Sequence, residues 1–64
     1  MFITLTNQAD GFEGEPVLIN ADIIATVREE RRKELPQKTY VFCPPHGTWE
    51  VRESIEEISK LLNQ

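Results

Sequence analysis

The sequence predicts a single α+β domain, residues 1–64, in which a small antiparallel β-sheet of about four to five strands is packed by one C-terminal amphipathic α-helix. Three observations predict this class. Short runs of β-branched and aromatic residues alternate with clusters of Asn, Asp, Gly and Pro along most of the chain. A proline-glycine turn at residues 44–47 separates two strand-forming runs. At the C-terminus, a helix-capping sequence is followed by apolar residues at helical spacing.

Two strands are predicted near the N-terminus. Phe2–Thr6 alternates, with Ile3 and Leu5 on one face and the remaining residues on the other. After a stretch of turn-forming residues, the apolar run at residues 17–19 is too short and too β-branched for a helix. We therefore expect a hairpin or wide loop between two antiparallel strands.

A tight connection at residues 20–22, Asn-Ala-Asp, leads to a third predicted strand. Residues 23–27 are mostly β-branched, which favours a strand over a helix. The following residues 28–38 are nearly all charged, are closed by Pro36 and have no apolar stripe. We interpret them as a solvated loop or an extended hairpin tip.

The second hairpin has a predicted register. If residues 44–47 form a four-residue loop, Phe42 lies opposite Trp49 and Tyr40 lies opposite Val51. Opposed residues share a face, so these four side chains would form one face of the sheet. We expect this aromatic face to be the core.

A C-terminal helix is predicted from its first turn. Ser54 and Glu57 form a capping box, and acidic residues suit the positive end of the helix dipole. Apolar residues follow on one face, which should pack on the aromatic face of the sheet. They are Ile55, Ile58, Leu61 and Leu62.

Composition disfavours several classes of protein. The first residues lack the basic and apolar regions of a signal peptide, and no apolar run approaches the roughly 20 residues of a membrane helix. The lone Cys43 forms no internal disulfide and suits a reducing cytoplasm. The formal net charge of −4 disfavours nucleic acid as a partner. We therefore expect a cytoplasmic protein with no membrane partner.

Cys43 and His46 are reactive side chains that lie close in sequence. One hypothesis is a thiol-dependent enzyme or a metal protein that uses this pair. However, one Cys and one His supply fewer ligands than the four of a structural zinc site, and no third group that would orient the imidazole is indicated. The favoured interpretation is a hairpin tip. We therefore expect no catalytic activity, no bound metal and no cofactor.

A further hypothesis is a nucleic-acid binder, because the charged segment holds four of the seven basic residues. They are Arg28, Arg31, Arg32 and Lys33. Interleaved glutamates leave the segment nearly neutral, and no aromatic residue lies among them to stack on a base. A solvated loop is the favoured interpretation.

Some apolar side chains do not fit under the predicted helix. Phe2, Leu18 and Val41 fall on the opposite face of the sheet, and a thin domain with such a face tends to dimerise or dock. We therefore expect a non-catalytic protein-binding or regulatory module that contacts a protein partner or a second copy. The middle segment carries most of the basic residues and the C-terminal part is acidic, and such a charge asymmetry can orient a partner. We therefore include three arginines in the candidate surface. The candidate residues are Phe2, Leu18, Val41, Arg28, Arg31 and Arg32.

Several segments, in order, resemble the small bacterial FlbD-type flagellar and swarming-motility proteins. The start Met1-Phe2-Ile3-Thr4-Leu5-Thr6 is similar to the family's Met-Ile-x-Leu-Thr strand, and residues 18–24 are similar to its Leu-Asn-x-Asp-x-Ile segment. Residues 47–58 resemble its glycine hairpin, Val-x-Glu-Ser motif and acidic helix start. This resemblance spans most of the chain. It implies a non-enzymatic motility accessory protein that acts by protein contact, and it supplies no catalytic residues.

Overall fold

The computed structural model describes residues 1–35 and 37–64 and confirms the α+β class. The predicted single sheet is instead two antiparallel sheets, β1-β2 and β3-β4-β5, followed by one C-terminal helix. The elements in chain order are β1 (Phe2–Thr6), β2 (Pro16–Asn20), a turn of 3₁₀ helix (Ala21–Ile23), β3 (Thr26–Glu30), β4 (Lys38–Cys43), β5 (Gly47–Val51) and α1 (Ile55–Leu62).

The two sheets meet at one corner. Just beyond β1, Asn7 forms an isolated antiparallel bridge with Val51 of β5. The Arg52 N–H donates to the Thr6 carbonyl oxygen at 2.8 Å. The Glu53 carboxylate accepts both from the Thr6 N–H and from its hydroxyl, each at 2.8 Å. β1 is therefore fastened to the segment that joins β5 to α1.

The core is aliphatic and draws on both sheets and the helix. Alternation in β1 and β2 turns their odd-numbered residues inward, as predicted for Ile3 and Leu5. The buried hydrophobic side chains are Ile3, Leu5, Ile19, Val41, Cys43, Val51 and Ile58.

The predicted register of the β4–β5 hairpin is wrong by one residue. Val41 pairs with Trp49, and Cys43 pairs with Gly47. The loop therefore holds residues 44–46, because the His46 N–H closes the turn on the Cys43 carbonyl at 2.8 Å. Gly47, at a φ of 119°, belongs to the ladder instead of the loop.

A one-residue slip turns one strand of a hairpin over relative to the other, and here β4 is turned over relative to β5. Val41 was expected on the outer face, but it is fully buried in the core. Tyr40 and Phe42, expected in the core, lie on the outer face, where Phe42 is 43% exposed. Trp49 shares the inner face with Val41, yet it is 42% exposed. The aromatic core predicted from the sequence is therefore replaced by an aliphatic one.

The third strand begins later than predicted, at Thr26 in place of residue 23. The Asn20 side chain accepts from the Asp22 N–H at 3.0 Å and caps the 3₁₀ turn. This turn takes up the first residues of the predicted strand. β3 then runs through Glu30 into the segment expected to be a solvated loop or an extended hairpin tip, because these residues form an antiparallel ladder with β4. Pro36, expected to close that loop, lies outside the described residues.

The predicted helix is confirmed. Both arms of the capping box form at 3.1 Å, from the Glu57 N–H to Ser54 Oγ and from the Ser54 N–H to the Glu57 carboxylate. Ile58 is fully buried, whereas Ile55 remains largely exposed at the first turn. The helix packs on the aliphatic core, not on an aromatic face. Within residues 1–35 and 37–64, no helix has the length and apolar character needed to cross a membrane.

Candidate partner-binding surface

Phe2 and Leu18 lie together on the outer face of the β1–β2 sheet. Phe2 pairs with Asn20 and Leu18 pairs with Thr4, so the two apolar side chains are diagonal neighbours on adjacent strands. Phe2 is 60% exposed and Leu18 is 66% exposed. The alternation of the sequence predicted this pair correctly as an uncovered apolar face.

A cleft lies beside β2, between that strand and the tip of the β4–β5 hairpin. We call it the edge cleft, and its volume is about 270 Å³. Leu18 and Ile19 line one side, and Trp49 lines another. The remaining lining residues are Asn20, Ile23, Cys43 and His46.

A second cleft, the loop cleft, lies between β5 and the loop that follows β1, and its volume is about 360 Å³. Phe12, 56% exposed, lines it together with Trp49. The other lining residues are Asn7, Ala9, Thr48 and Glu50. Trp49 therefore lines both clefts.

These features form one surface, which we call the apolar belt: Phe2, Leu18, Trp49 and Phe12 with the two clefts between them. Leu18 and Trp49 share the edge cleft, and Trp49 and Phe12 share the loop cleft. From the sequence, Trp49 is expected in the core and Phe12 has no predicted role. Trp49 does lie on the inner face, but the alternation of β5 does not indicate that this position stays partly exposed. The loop sequence around Phe12 contains no periodic signal.

The six predicted surface residues do not come together. Phe2 and Leu18 belong to the β1–β2 sheet, Val41 is buried, and the arginines lie on or just after β3. The Arg28 guanidinium lies 4.6 Å from the centre of the Tyr40 ring. Arg31, highly exposed, has its Nε 3.7 Å from Glu29 Oε2, and the half-buried Arg32 follows it.

Cys43 lines the edge cleft, but its side chain is almost fully buried. Burial raises the pKa of the Cys43 thiol, because the charged thiolate loses solvation there. The cleft therefore favours the unreactive, protonated form of the thiol. Among the residues that the structure describes, no group of three or more His, Cys, Asp or Glu side chains could hold a metal ion.

Lys38, expected at the end of a solvated loop or an extended hairpin tip, is a buried cation. Lys38 begins β4, its side chain is buried, and its Nζ lies 2.7 Å from Glu50 Oε1 and 3.5 Å from Asp10 Oδ1. The hydrogen bond to Glu50 is the main reason that the pKa of Lys38 is raised above its ordinary value. This ion pair stabilises the outer face of the β4–β5 hairpin and holds the loop after β1 beside it.

Comparison with family models, with curated proteins and with solved structures gives no match to this chain. The resemblance to motility proteins therefore stays an expectation, and function is argued from the geometry of the surface.

Proposed function

We propose that this chain is a non-catalytic protein-binding module and that the apolar belt is its contact surface. The observation that supports this most directly is the continuity of the belt, in which four large apolar side chains that are 42–66% exposed surround two clefts. Single exposed apolar residues are ordinary, but contiguous ones on a small domain are typical of interaction sites. A central, partly buried Trp such as Trp49 is also the residue type most enriched at binding hot spots.

Thiol chemistry has less support than binding. A nucleophilic cysteine needs an accessible thiolate, whereas Cys43 is buried and its pKa is raised by desolvation. We expect iodoacetamide to alkylate Cys43 at least tenfold more slowly in the folded protein than in the urea-unfolded chain, as measured by mass spectrometry. Equal rates in the two states would instead support a reactive site.

Nucleic-acid binding also has less support. Arg28 lies over the Tyr40 ring, and Arg31 is close to the Glu29 carboxylate. The Glu29 carboxylate offsets part of the positive charge that a phosphate backbone would meet, whereas the neutral Tyr40 ring contacts Arg28 without changing its charge. The chain as a whole carries a formal charge of −4, which opposes association with a polyanion.

The biological setting that we propose is bacterial motility, in the cytoplasm. The resemblance to FlbD-type proteins supports the first part, and the lone Cys43 suits the reducing environment of the second. The genes beside the coding sequence test this setting. A flagellar operon would support it, and a phage or toxin operon would contradict it.

The binding proposal is tested by changing the belt without disturbing the core. Phe12→Ser and Leu18→Ser alter side chains that are more than half exposed, and Phe42→Ser is a matched control on the outer face of the other sheet. A partner captured on the immobilised protein is identified, purified and titrated against each variant by calorimetry.

We expect each belt variant to weaken binding at least tenfold, because truncating an interface hot spot removes about 2 kcal/mol or more. The Phe42→Ser control should bind like the parent protein. Equal affinities for all four proteins would contradict the belt as the contact surface.

A further inference from the structure

β2 has an open edge. The Ala21 N–H donates to the Met1 carbonyl and the Asn7 N–H donates to the Glu15 carbonyl, both at 2.7 Å. Hydrogen-bonded and non-hydrogen-bonded pairs alternate along an antiparallel ladder, so the Thr4–Leu18 pair is of the second kind. The N–H and C=O of Leu18 therefore point away from β1. In the described part of the chain, β2 pairs with no other strand.

The edge cleft lies where an added strand would place a side chain. A residue opposite Leu18 would share the outer face with Leu18, and the next residue would point inward, beside Ile19. Ile19 and Trp49 both line the edge cleft. At about 270 Å³, this cleft has room for one large apolar side chain.

Backbone chemistry and charge favour a different partner over a second copy. Antiparallel pairing of two copies of β2 about Leu18 would set Glu15 of one copy opposite Ala21 of the other, where no cation meets the exposed Glu15 carboxylate. It would also set Pro16, which has no N–H, opposite Asn20. A segment with a lysine or arginine next to Glu15 would meet that carboxylate favourably.

We propose that the open edge of β2 accepts an extended segment of another protein as an added strand. This inference rests on the proposed function, because it assigns a partner class to one end of the apolar belt. The segment carries one large apolar side chain for the edge cleft, an apolar neighbour for Leu18, and lysine or arginine at the end that lies beside Glu15. Main-chain hydrogen bonds supply the affinity of such an addition, and the cleft supplies its specificity.

The first test uses the protein alone. Amide hydrogen exchange should be slow at Val17 and Ile19, whose N–H groups bond to β1, and at least tenfold faster at Leu18 and Asn20. The measurement is repeated over a range of protein concentrations. Protection of Leu18 and Asn20 that grows with concentration would mean that a second copy occupies the edge, and this result would overturn the proposal.

The second test identifies the segment. A library of random twelve-residue peptides displayed on phage is selected against the immobilised protein, and the enriched peptides are synthesised. We expect an apolar pair with a lysine or arginine on one side, and slowed exchange of the Leu18 and Asn20 amides on binding. Methylation of the peptide backbone nitrogens should weaken binding at alternate positions only, because every second N–H faces β2.

Two variants control for charge. Glu15→Lys should weaken peptide binding at least threefold at low ionic strength, whereas Glu56→Lys, which changes the net charge equally on the exposed first turn of α1, should not.

The proposal is overturned if no peptide is enriched, or if bound peptides leave the Leu18 and Asn20 amides unprotected. If Phe12→Ser and Leu18→Ser lose partner binding but bound peptides leave the Leu18 and Asn20 amides unprotected, the belt is kept and the added strand is rejected. If bound peptides protect these amides but Phe12→Ser and Leu18→Ser keep partner binding, the added strand is kept and the belt is rejected as the contact surface.

Discussion

Thr39 shows how a single polar atom limits the stability of this core. Its side chain is fully buried on the inner face of β4, opposite Val51, and among the described residues no partner lies within hydrogen-bonding distance of its Oγ1. Burying an unpaired hydroxyl costs about 1–3 kcal/mol. We expect Thr39→Val, which keeps the shape and removes the oxygen, to raise the free energy of unfolding by about 1 kcal/mol in urea titrations.

The control at this position is Thr39→Ser, which keeps the hydroxyl and removes a buried methyl group. It should lower the free energy of unfolding by about 1 kcal/mol. A Val variant that is less stable than the parent protein would mean that the Thr39 hydroxyl has a stabilising partner.

Lys38 gives the fold a dependence on alkaline pH. Its pKa is raised in the folded state, chiefly by the hydrogen bond to Glu50, so the charged form stabilises the fold. That contribution is complete below the ordinary pKa of 10.5 and is lost as the pH rises through the higher folded value. We expect the free energy of unfolding to fall more steeply above pH 10.5 in the parent protein than in Lys38→Met. Urea titrations at a series of alkaline pH values measure this difference, and parallel curves would contradict it.

The β4–β5 hairpin depends on the conformation of its first β5 residue. Gly47 has a φ of 119° and pairs with Cys43, and a Cβ added there would meet nothing within 4 Å. The expected penalty for Gly47→Ala is therefore backbone strain and not a steric clash, and it is about 1–2 kcal/mol. Urea titration measures it, and a chemically synthesised protein with D-alanine at this position is the control. D-alanine favours positive φ, so it should restore stability. An L-alanine variant as stable as the parent protein would contradict the positive φ of Gly47.

Elements specified by local chemistry were predicted well. The alternation of β1 and the capping box of α1 each depend on a few neighbouring residues, and both are confirmed. The hairpin register failed because two loops, of four and three residues, fit the same turn sequence and differ only in which face is buried. The start of β3 failed because the Asn20 cap extends the turn and pairing with β4 overrides the charged composition of residues 28–30.

The candidate surface was predictable only in part, for a related reason. Phe2 and Leu18 are on the outer face because their own strands alternate, which can be read from the sequence. Trp49 lies on the inner face as predicted, but its exposure depends on which segments cover that face, and Phe12 depends on how the loop after β1 folds back toward β5. These two residues are brought to the surface by contacts between segments distant in sequence, which no local pattern encodes.

On the scale of the whole molecule, the corner that joins the two sheets should determine how cooperatively the protein unfolds. A chain of this length has a total stability of roughly 3–10 kcal/mol, so a single well-placed group can be a large fraction of it. Glu53 accepts two hydrogen bonds from Thr6 and thereby fastens β1 to the start of α1. Both partners are partly shielded from water, which strengthens bonds to a charged acceptor.

We therefore expect Glu53→Ala to lower the free energy of unfolding by about 2–3 kcal/mol, because hydrogen bonds to a charged group contribute more than neutral ones. Glu53→Gln retains one carbonyl acceptor and should lose about half as much. Glu56→Ala is the matched control, since its exposed carboxylate only approaches Lys60, at 3.8 Å, and its removal should cost less than about 0.5 kcal/mol.

Urea unfolding is followed by Trp49 fluorescence, which reports on β5, and by far-ultraviolet circular dichroism, which reports on all elements. If the corner couples the sheets, the two signals coincide in the parent protein and separate in Glu53→Ala. A Glu53→Ala variant that matches Glu56→Ala in stability and in coincidence of the two signals would show that the sheets are held together by the aliphatic core alone.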